Sequence, residues 1–328
     1  MIAARNVEIV NFINGSFQHE MKADILEGMT APRKYIPSKY FYDARGSRLF
    51  EEICRLPEYY LTRTELSILE NSASDIMRHF RGGTLVELGS GACRKIRMLL
   101  GGVRGTDLGN IRYMPVDVSE SALAGASEEL LAAYPGLRMR CVVADFTRHI
   151  GSIPSEGGKW FVLFGSTIGN LSCSESEAFL RVLAGVMGPD DRFLLGVDMV
   201  KARDVLEPAY NDAQGVTAEF NKNILAVLNR ELDACFDPGC FDHVAFYNSP
   251  IEQVEMHLRA NRGVSVEIGG LGLRVEMRKG ETIRTEICRK FTAAGIERMA
   301  GDSGLKITRR FHDPGEWFCL VELAVKDP

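Results

Sequence analysis

The sequence predicts an α/β fold in which a doubly wound parallel sheet carries an inserted second domain of helices and strands. Two patterns lead to this prediction. Through the middle of the chain, short runs that are apolar on both faces alternate with amphipathic helical stretches, as in sheets covered by helices on both sides. After residue 200 the pattern changes to a helical stretch and then to strands that alternate with period two.

Length and composition are those of an ordinary globular protein. The chain has 328 residues, of which 45% are hydrophobic and 25% charged, enough for a substantial core and about two domains. A formal net charge of −5 argues against nucleic acid as a partner. The sequence has no apolar run near the ~20 residues of a membrane span and no signal-peptide pattern, so we expect a cytosolic protein without a membrane partner.

Metal binding is not expected from the cysteine and histidine spacing. The 8 cysteines include no C-x-x-C pair, and the 6 histidines form no H-E-x-x-H set. Most of the thiols are expected to be reduced core or surface residues.

The predicted sheet opens with a short apolar strand at 84–88, followed by a glycine-rich turn and an amphipathic helix. Four further apolar runs are expected to be strands, and helices are expected between them, notably at 119–131 and 174–187. The four runs are IRYMPVDVS, LRMRCVVADF, KWFVLFGSTIGN and DRFLLGVDMV. The ligand of such a sheet should bind at the carboxyl ends of its strands.

Those carboxyl ends carry residues suited to a nucleoside. Gly89 and Gly91 follow the first strand and allow the backbone to approach a ligand closely. Asp117 follows the second strand, where a carboxylate accepts hydrogen bonds from ribose hydroxyls. Asp145 and Phe146 follow the third, where they can read an adenine amino group and cover its ring.

The glycine-rich turn favours one class of nucleoside ligand. A dinucleotide fingerprint would place a third glycine at position 94, where this chain has Arg94, so NAD is disfavoured. No phosphate loop of the G-x-x-x-x-G-K-[ST] type is present either. The ELGSG turn with an acidic end of strand two looks like the class I S-adenosylmethionine (SAM) methyltransferases. In that setting Lys95 would meet the cofactor carboxylate.

Longer blocks narrow the resemblance to one family. Residues 39–69 resemble the N-terminal signature of the histidine-specific SAM-dependent methyltransferases of ergothioneine biosynthesis, which trimethylate the α-amino group of histidine. The similarity continues in order through nearly the whole chain. Its further blocks are VELGSGACRKIRMLL, PVDVSESAL, FGSTIGNL, YNDAQGVTAEFN, EMHLRA and RTEICRKF.

The resemblance implies a domain organisation. A Rossmann-type methyltransferase domain would comprise residues 17–198 and 290–328, and a substrate-binding α+β domain would comprise 1–16 and 199–289. We expect a helical stretch at 207–235 and strands at 254–260, 264–269, 272–278 and 282–288 in the inserted domain. We expect the protein to be a monomer.

The resemblance also implies residue roles. SAM would contact Tyr42, Gly89, Lys95, Asp117, Asp145 and Phe146. L-Histidine would contact Tyr59, Gly165, Asn170, Tyr210, Met256, Glu286 and Cys288. The residues expected at the reacting groups are Tyr42, Asn170 and Tyr210.

The block RTEICRKF bears on the choice of amino acid. Period-two alternation places Glu286 and Cys288 on one face of a strand, where both could contact one imidazole ring. Glu286 would accept a hydrogen bond from a ring N–H. The family usually has serine where this chain has Cys288, and a thiol is the poorer hydrogen-bond partner.

The expected activity is three successive methyl transfers from SAM to histidine, giving the trimethylated product hercynine. Two alternatives stay open from the sequence. One is an N-methyltransferase of the same fold for a different free amino acid, which binding of an amino-acid panel would reveal. The other is a non-catalytic SAM-binding module, which an assay of methyl transfer from labelled SAM would reveal.

Overall fold

The computed structural model describes residues 7–13, 17–80, 82–91, 93–103, 107–153 and 157–326. In chain order the strands are β1 Val7–Asn11, β2 Gly83–Leu88, β3 Ile111–Asp117, β4 Arg138–Val143, β5 Lys159–Leu163, β6 Arg192–Asp198, β7 Phe241–Asn248, β8 Gln253–Ala260, β9 Val264–Ile268, β10 Leu273–Met277, β11 Thr282–Arg289, β12 Leu305–His312 and β13 Phe318–Val325.

The α-helices are α1 Phe17–Thr30, α2 Ala44–Ile53, α3 Tyr60–Ile76, α4 Arg94–Gly101, α5 Glu120–Ala133, α6 Phe146–His149, α7 Cys173–Val186, α8 Arg203–Ala209, α9 Val216–Leu232 and α10 Ala293–Asp302. Within the described ranges, none of these helices combines the length and apolar content that a transmembrane helix requires.

The chain divides into two compact units. Unit 1 comprises Met1–Ile13, Leu61–Val200 and Lys290–Pro328, and unit 2 comprises Asn14–Tyr60 and Lys201–Arg289. Each unit is described separately below.

Unit 1 is built on one sheet whose strand order is β1-β4-β3-β2-β5-β6-β13-β12. Strands β1 to β6 are mutually parallel, whereas β13 and β12 are antiparallel to their neighbours. The strand order reverses between β2 and β5, which pair with each other although β3 and β4 separate them in sequence. Ligands of open α/β sheets bind at such a reversal, so the loops after β2 and β5 lie at the expected place. The predicted fold class is confirmed.

The central strands of the sheet are buried on both faces because they carry apolar residues at successive positions. On β2, Leu85 belongs to one buried cluster, while Val86 and Leu88 belong to another on the opposite face. Trp160 and Phe161 of β5 are divided in the same way. A continuous apolar run is what a doubly covered parallel strand requires.

The inserted segment leaves and re-enters unit 1 at neighbouring points. The Phe291 N–H donates to the Asp198 carbonyl at 2.9 Å, and the Val200 N–H donates to the Phe291 carbonyl at 3.0 Å. The fully buried Lys290 ammonium lies 2.7 Å from the equally buried Asp198 carboxylate. Because the two connections are fixed side by side, an insertion of this length leaves the sheet of unit 1 continuous.

Unit 2 contains a three-stranded antiparallel sheet, β11-β8-β7, and a β9–β10 hairpin. Helix α9 packs against α2, β7 and β8. The four strands predicted between 254 and 288 are confirmed as β8, β9, β10 and β11 to within one residue, whereas β7 was not predicted. A register shift between Arg284 and Glu286 marks a bulge in β11, which plain alternation does not reveal.

The helical stretch predicted at 207–235 is divided between two helices in the structure. Helix α8 ends at Ala209 and α9 begins at Val216. The Asp212 carboxylate accepts hydrogen bonds from the N–H groups of Val216 and Thr217 at 3.0 and 2.8 Å, and Gly215 has a left-handed φ of 77°. These local interactions replace the helical turn between the two helices.

The domain boundaries differ from the predicted ones at the N-terminus. The sequence predicts residues 1–16 in the substrate domain and 17–60 in the methyltransferase domain. Residues 1–6 and 14–16 lie outside the described residues. Strand β1 pairs in parallel with β4 and so extends the sheet of unit 1. Helices α1 and α2 pack against β10 and α9, respectively, within unit 2. The other two boundaries, after Val200 and Arg289, lie within two residues of the predicted positions.

Candidate active site

The glycine-rich loop after β2 turns through two left-handed residues. Gly89 has φ 69° and Gly91 has φ 44°, conformations that favour glycine. The Gly89 N–H donates to the Val116 carbonyl at 2.8 Å, which ties the loop to the end of β3. A Cβ atom at position 89 would lie 3.5 Å from the Phe146 ring, and no described atom lies within 4 Å of a Cβ at position 91. The backbone at Gly91 is therefore open to close approach.

The Asp117 carboxylate joins the loops after β2 and β3. Its oxygens accept hydrogen bonds from the Gly91 N–H at 3.1 Å and from the Ser119 N–H at 3.0 Å. Burial raises the pKa of this carboxyl, while the backbone donors of Ser119 and Gly91 act in the opposite direction. A partly buried acceptor at this strand end suits a ligand hydroxyl.

Asp145 and Phe146 follow β4, as predicted. Asp145 is the N-cap of the short helix α6, and its side chain accepts a hydrogen bond from the Thr147 N–H at 3.0 Å. The Phe146 ring meets the Phe179 ring edge to face, with centroids 5.6 Å apart. Because Phe146 also lies next to Gly89, the ends of β2 and β4 meet at this ring.

Lys95 is one residue into α4 and is paired with an acid that the sequence did not point to. Its Nζ lies 2.7 Å from Oε2 of Glu65 on α3. The Glu65 side chain is completely buried, whereas the Lys95 side chain keeps 20% of its surface exposed. Lys95 therefore has a fixed counter-ion on its buried side and still reaches solvent.

The loop after β5 has an unusual backbone. Gly165 has φ 76° and the next residue, Ser166, has φ 57°, a left-handed conformation that few non-glycine residues adopt. The Asp198 N–H donates to the buried Ser166 hydroxyl at 3.0 Å. A short 3-10 turn, Thr167–Asn170, follows and ends at Asn170. Backbone strain of this kind clusters at ligand sites and persists where surrounding contacts hold it.

A second buried acid lies on β2 itself. Burial raises the pKa of Glu87, and the hydrogen bond that the Tyr113 hydroxyl donates to it offsets only part of this rise. The resulting pKa is about 8. Glu87 is therefore mostly protonated at neutral pH.

In unit 2 a row of aromatic rings connects three of the predicted tyrosines. Tyr42 contacts Phe50 edge to face, with centroids 5.7 Å apart, Phe50 contacts Tyr59 at 6.2 Å, and Tyr59 contacts Tyr210 at 6.2 Å. Burial raises the pKa of Tyr59 well above its ordinary value, and its neighbours, Cys54 first among them, raise it further. The Tyr59 phenol therefore keeps its proton and can donate a hydrogen bond, but cannot act as a base near neutral pH.

Strands β8 and β11 bring the other predicted substrate residues of unit 2 together. Glu286 is opposite Met256 in the register of the two strands, and Cys288 is opposite Val254. The Tyr210 hydroxyl donates to the Cys288 sulfur at 2.8 Å. Met256 and Cys288 are buried, whereas Glu286 is partly exposed.

A buried polar network holds Tyr210 in place. The Thr285 hydroxyl donates to Oδ1 of Asn221 at 2.6 Å, and the Asn221 amide donates to Nδ1 of His243 at 2.8 Å. Nε2 of His243 then donates to the Tyr210 carbonyl at 2.9 Å. Burial lowers the pKa of His243, so the ring is neutral and both ring nitrogens are used.

The predicted site residues thus fall into two sets. Unit 1 contains Gly89, Lys95, Asp117, Asp145, Phe146, Gly165 and Asn170; unit 2 contains Tyr42, Tyr59, Tyr210, Met256, Glu286 and Cys288. Sequence reasoning missed Glu65 and the Asn221 network. Neither belongs to a recognisable spacing, and the only signal for Glu65 is an acid at an otherwise apolar position of an amphipathic helix.

The residues of unit 1 fit a nucleoside that carries an amino-acid tail. Gly91 leaves space for a ligand, and the buried Ser90 hydroxyl in the same loop has no hydrogen-bond partner among the described residues. Asp117 would hold ribose hydroxyls, Asp145 and Phe146 would hold the base, and Lys95 would hold a carboxylate. SAM presents each of these groups.

Comparison with known proteins agrees with this description. Residues 21–325 match the family model for "Histidine-specific methyltransferase, SAM-dependent". The chain is 44% identical over 306 residues to "Histidine N-alpha-methyltransferase" of Mycolicibacterium smegmatis, covering 93% of this chain and 95% of the relative. It is 29% identical over 249 residues to "Ergothioneine biosynthesis protein 1" of Schizosaccharomyces pombe, covering 71% of this chain and 32% of the relative.

Among solved structures, the Burkholderia thailandensis 1,6-didemethyltoxoflavin-N1-methyltransferase, with 1,6-didemethyltoxoflavin and S-adenosylhomocysteine bound, is similar with a TM-score of 0.45. It is 11% identical, and the similarity covers 91% of this chain and 94% of that one.

Proposed function

Because the chain belongs to the histidine-specific SAM-dependent methyltransferases, we propose that it methylates the α-amino group of L-histidine. Three successive transfers give Nα,Nα,Nα-trimethylhistidine, hercynine, the first step of ergothioneine biosynthesis. The similarity to the two named relatives supports this substrate and pathway.

SAM would supply a methyl group activated by its positively charged sulfonium. Transfer would form a nitrogen–carbon bond to the amine and break the carbon–sulfur bond, whose electron pair would leave the sulfur as a neutral thioether. The protein must hold the amine in its neutral form, in line with that methyl group and away from water. Since α-amino groups titrate near or above neutral pH, the amine loses a proton before each transfer. We assign Tyr42, Asn170 and Tyr210 to orienting the amine and the α-carboxylate by hydrogen bonds.

The arrangement on β8 and β11 is the observation that carries the choice of histidine. A neutral imidazole has one N–H donor and one nitrogen acceptor. Glu286 is a partly exposed acceptor opposite Met256, and Cys288 lies two residues further along the same strand. We assign Glu286 to the ring N–H and Cys288 to the other ring nitrogen, with Tyr59, Met256 and Gly165 as further contacts. An alanine at 286 would have favoured an apolar side chain instead.

The product of three transfers carries a permanent positive charge. Aromatic faces tolerate such a charge through cation–π contact, worth ~0.5–2 kcal/mol. The row of rings from Tyr42 to Tyr210 supplies such faces.

Mass spectrometry of L-histidine incubated with the protein and SAM tests this function. We expect mass gains of one, two and three methyl groups. An unmodified histidine pool, alongside methylation of another amino acid, would show that the pocket is built for that other side chain.

A further inference from the structure

Glu65 on α3 is a completely buried acid in unit 1 that none of the roles assigned above uses. Buried carboxylates are retained where they are paired and hydrogen-bonded. Both oxygens of Glu65 accept from the Gly165 N–H, at 3.0 and 2.9 Å, and Oε2 lies 2.7 Å from Nζ of Lys95. One carboxylate thus fixes a lysine after β2 and a backbone amide after β5.

The surroundings of this carboxylate are shaped to admit it. A Cβ atom at Gly196 of β6 would lie 2.3 Å from Oε1 of Glu65, closer than real Cβ contacts occur. A Cβ atom at Gly165 would lie 3.2 Å from Nζ of Lys95, and Gly165 already has a left-handed φ of 76°. The two glycines leave the space in which the carboxylate, the ammonium and the amide meet.

We propose that Glu65 is a positioning residue of the SAM site and acts through Lys95. Its carboxylate takes one of the three N–H donors of the ammonium, so that the side chain is held in one orientation with donors left for the cofactor carboxylate. A lysine fixed in this way loses little conformational freedom when the cofactor binds. This inference rests on the proposed use of SAM but not on the identity of the amino acid that is methylated.

The same carboxylate holds the left-handed turn at Gly165 and Ser166. Among the described contacts, the Gly165 N–H has no acceptor as close as the Glu65 carboxylate. The carboxylate therefore also fixes the loop that leads to Asn170. Glu65 thereby ties the lysine assigned to the cofactor to the loop assigned to the acceptor.

Glu65→Gln tests the proposal, with Glu70→Gln on the exposed face of the same helix as the matched control. The glutamine oxygen can accept from the Gly165 amide, but its NH₂ group then faces the Lys95 ammonium and displaces it. Titration calorimetry with SAM and with S-adenosylhomocysteine should show about tenfold weaker binding, as for loss of a charged hydrogen bond. The control should bind both as the unaltered protein does.

A double-variant cycle separates positioning from a general structural role. If Glu65 acts through Lys95, Glu65→Gln should weaken SAM binding little or not at all further in a Lys95→Met background. Additive losses, or unaltered affinity in Glu65→Gln, would overturn the proposal.

Should Glu65→Gln fail to fold, Glu65→Asp decides the question. It keeps the charge but withdraws the carboxylate by one methylene, so SAM binding should weaken, and unchanged affinity would overturn the proposal. All these affinities are measured without an acceptor. If the protein does not methylate histidine, the SAM affinities still test the role of Glu65. If the Glu65 variants bind SAM normally, the proposed methylation of histidine is not affected.

Discussion

The Tyr210 hydroxyl donates a hydrogen bond to the sulfur of Cys288, with an oxygen–sulfur distance of 2.8 Å, and both residues are buried in unit 2. Both residues were predicted to contact histidine. With the sulfur acting as an acceptor for Tyr210, the thiol proton is the group that Cys288 has to offer a ring nitrogen. Because a thiol is a weak hydrogen-bond donor, we expect a hydroxyl at position 288 to bind the ring nitrogen more strongly.

Cys288→Ser should lower the KM for histidine by a few-fold. The hydroxyl has similar volume, accepts from Tyr210 and donates more strongly, which adds about 0.5–1.5 kcal/mol of net hydrogen bonding. Cys288→Ala, which removes both functions, should raise this KM. Steady-state kinetics at saturating SAM measures both variants. A higher KM for Cys288→Ser would indicate that the thiol is a packing residue.

Glu286→Ala should lower the kcat/KM for histidine more than the kcat/KM for amino acids without a ring N–H. The change removes a charge-assisted acceptor and leaves a ring N–H unpaired. The transition state with histidine should therefore lose about 1.5–3 kcal/mol of stabilisation, which is measured as a lower kcat/KM. Comparison of histidine with phenylalanine gives the selectivity, and Glu267→Ala on the exposed side of β9 is the control. Equal losses for the two substrates would mean that Glu286 supports the strand rather than reading the side chain.

Asp117→Ala should weaken SAM binding about tenfold or more, because ribose hydroxyls would lose an acceptor worth ~1.5–3 kcal/mol. The structure adds a second cause, since the carboxylate also anchors the N–H groups of Gly91 and Ser119. Calorimetry with SAM measures the loss, and Asp190→Ala at an exposed turn is the control. SAM binding that stays unchanged would remove Asp117 from the site.

Glu87 should make stability depend on pH in a defined direction. Burial raises its pKa from 4.5 to about 8 in the folded protein, so between these values the folded chain binds a proton that the unfolded chain lacks. The contribution is complete below the unfolded pKa and is lost as the pH rises through the folded pKa, with a slope of about 1.4 kcal/mol per pH unit.

Urea unfolding of the unaltered protein and of Glu87→Gln, at several pH values between about 5 and 8, measures this effect. Glutamine cannot titrate, so the unaltered protein should lose stability relative to the variant as the pH rises. Parallel stability curves would show that Glu87 is ionised in the folded state.

Features that depend on local pattern could be predicted from the sequence. The strand ends at Gly89, Asp117 and Asp145 follow from apolar runs and turn residues, and the structure places all three at the predicted edge of the sheet. Strands β8, β9, β10 and β11 of the insertion follow from period-two alternation in the same way, whereas β7 does not.

Features that depend on distant contacts could not be predicted. Glu65 becomes significant only because α3 places it against Gly165, a hundred residues away. Strand β1 is short and half-exposed, so its pairing with β4 leaves little trace in its composition. The break after α8 depends on side-chain capping by Asp212, which competes with a helical pattern that otherwise runs through.

Nuclear magnetic resonance of the product made from L-histidine and SAM labelled with ¹³C in its methyl group tests the central claim most directly. We expect equivalent labelled methyl groups whose protons correlate with the histidine Cα, because all transfers go to the α-nitrogen. Labelled methyl groups that correlate with imidazole carbons, or no labelled histidine at all, would contradict the proposed function.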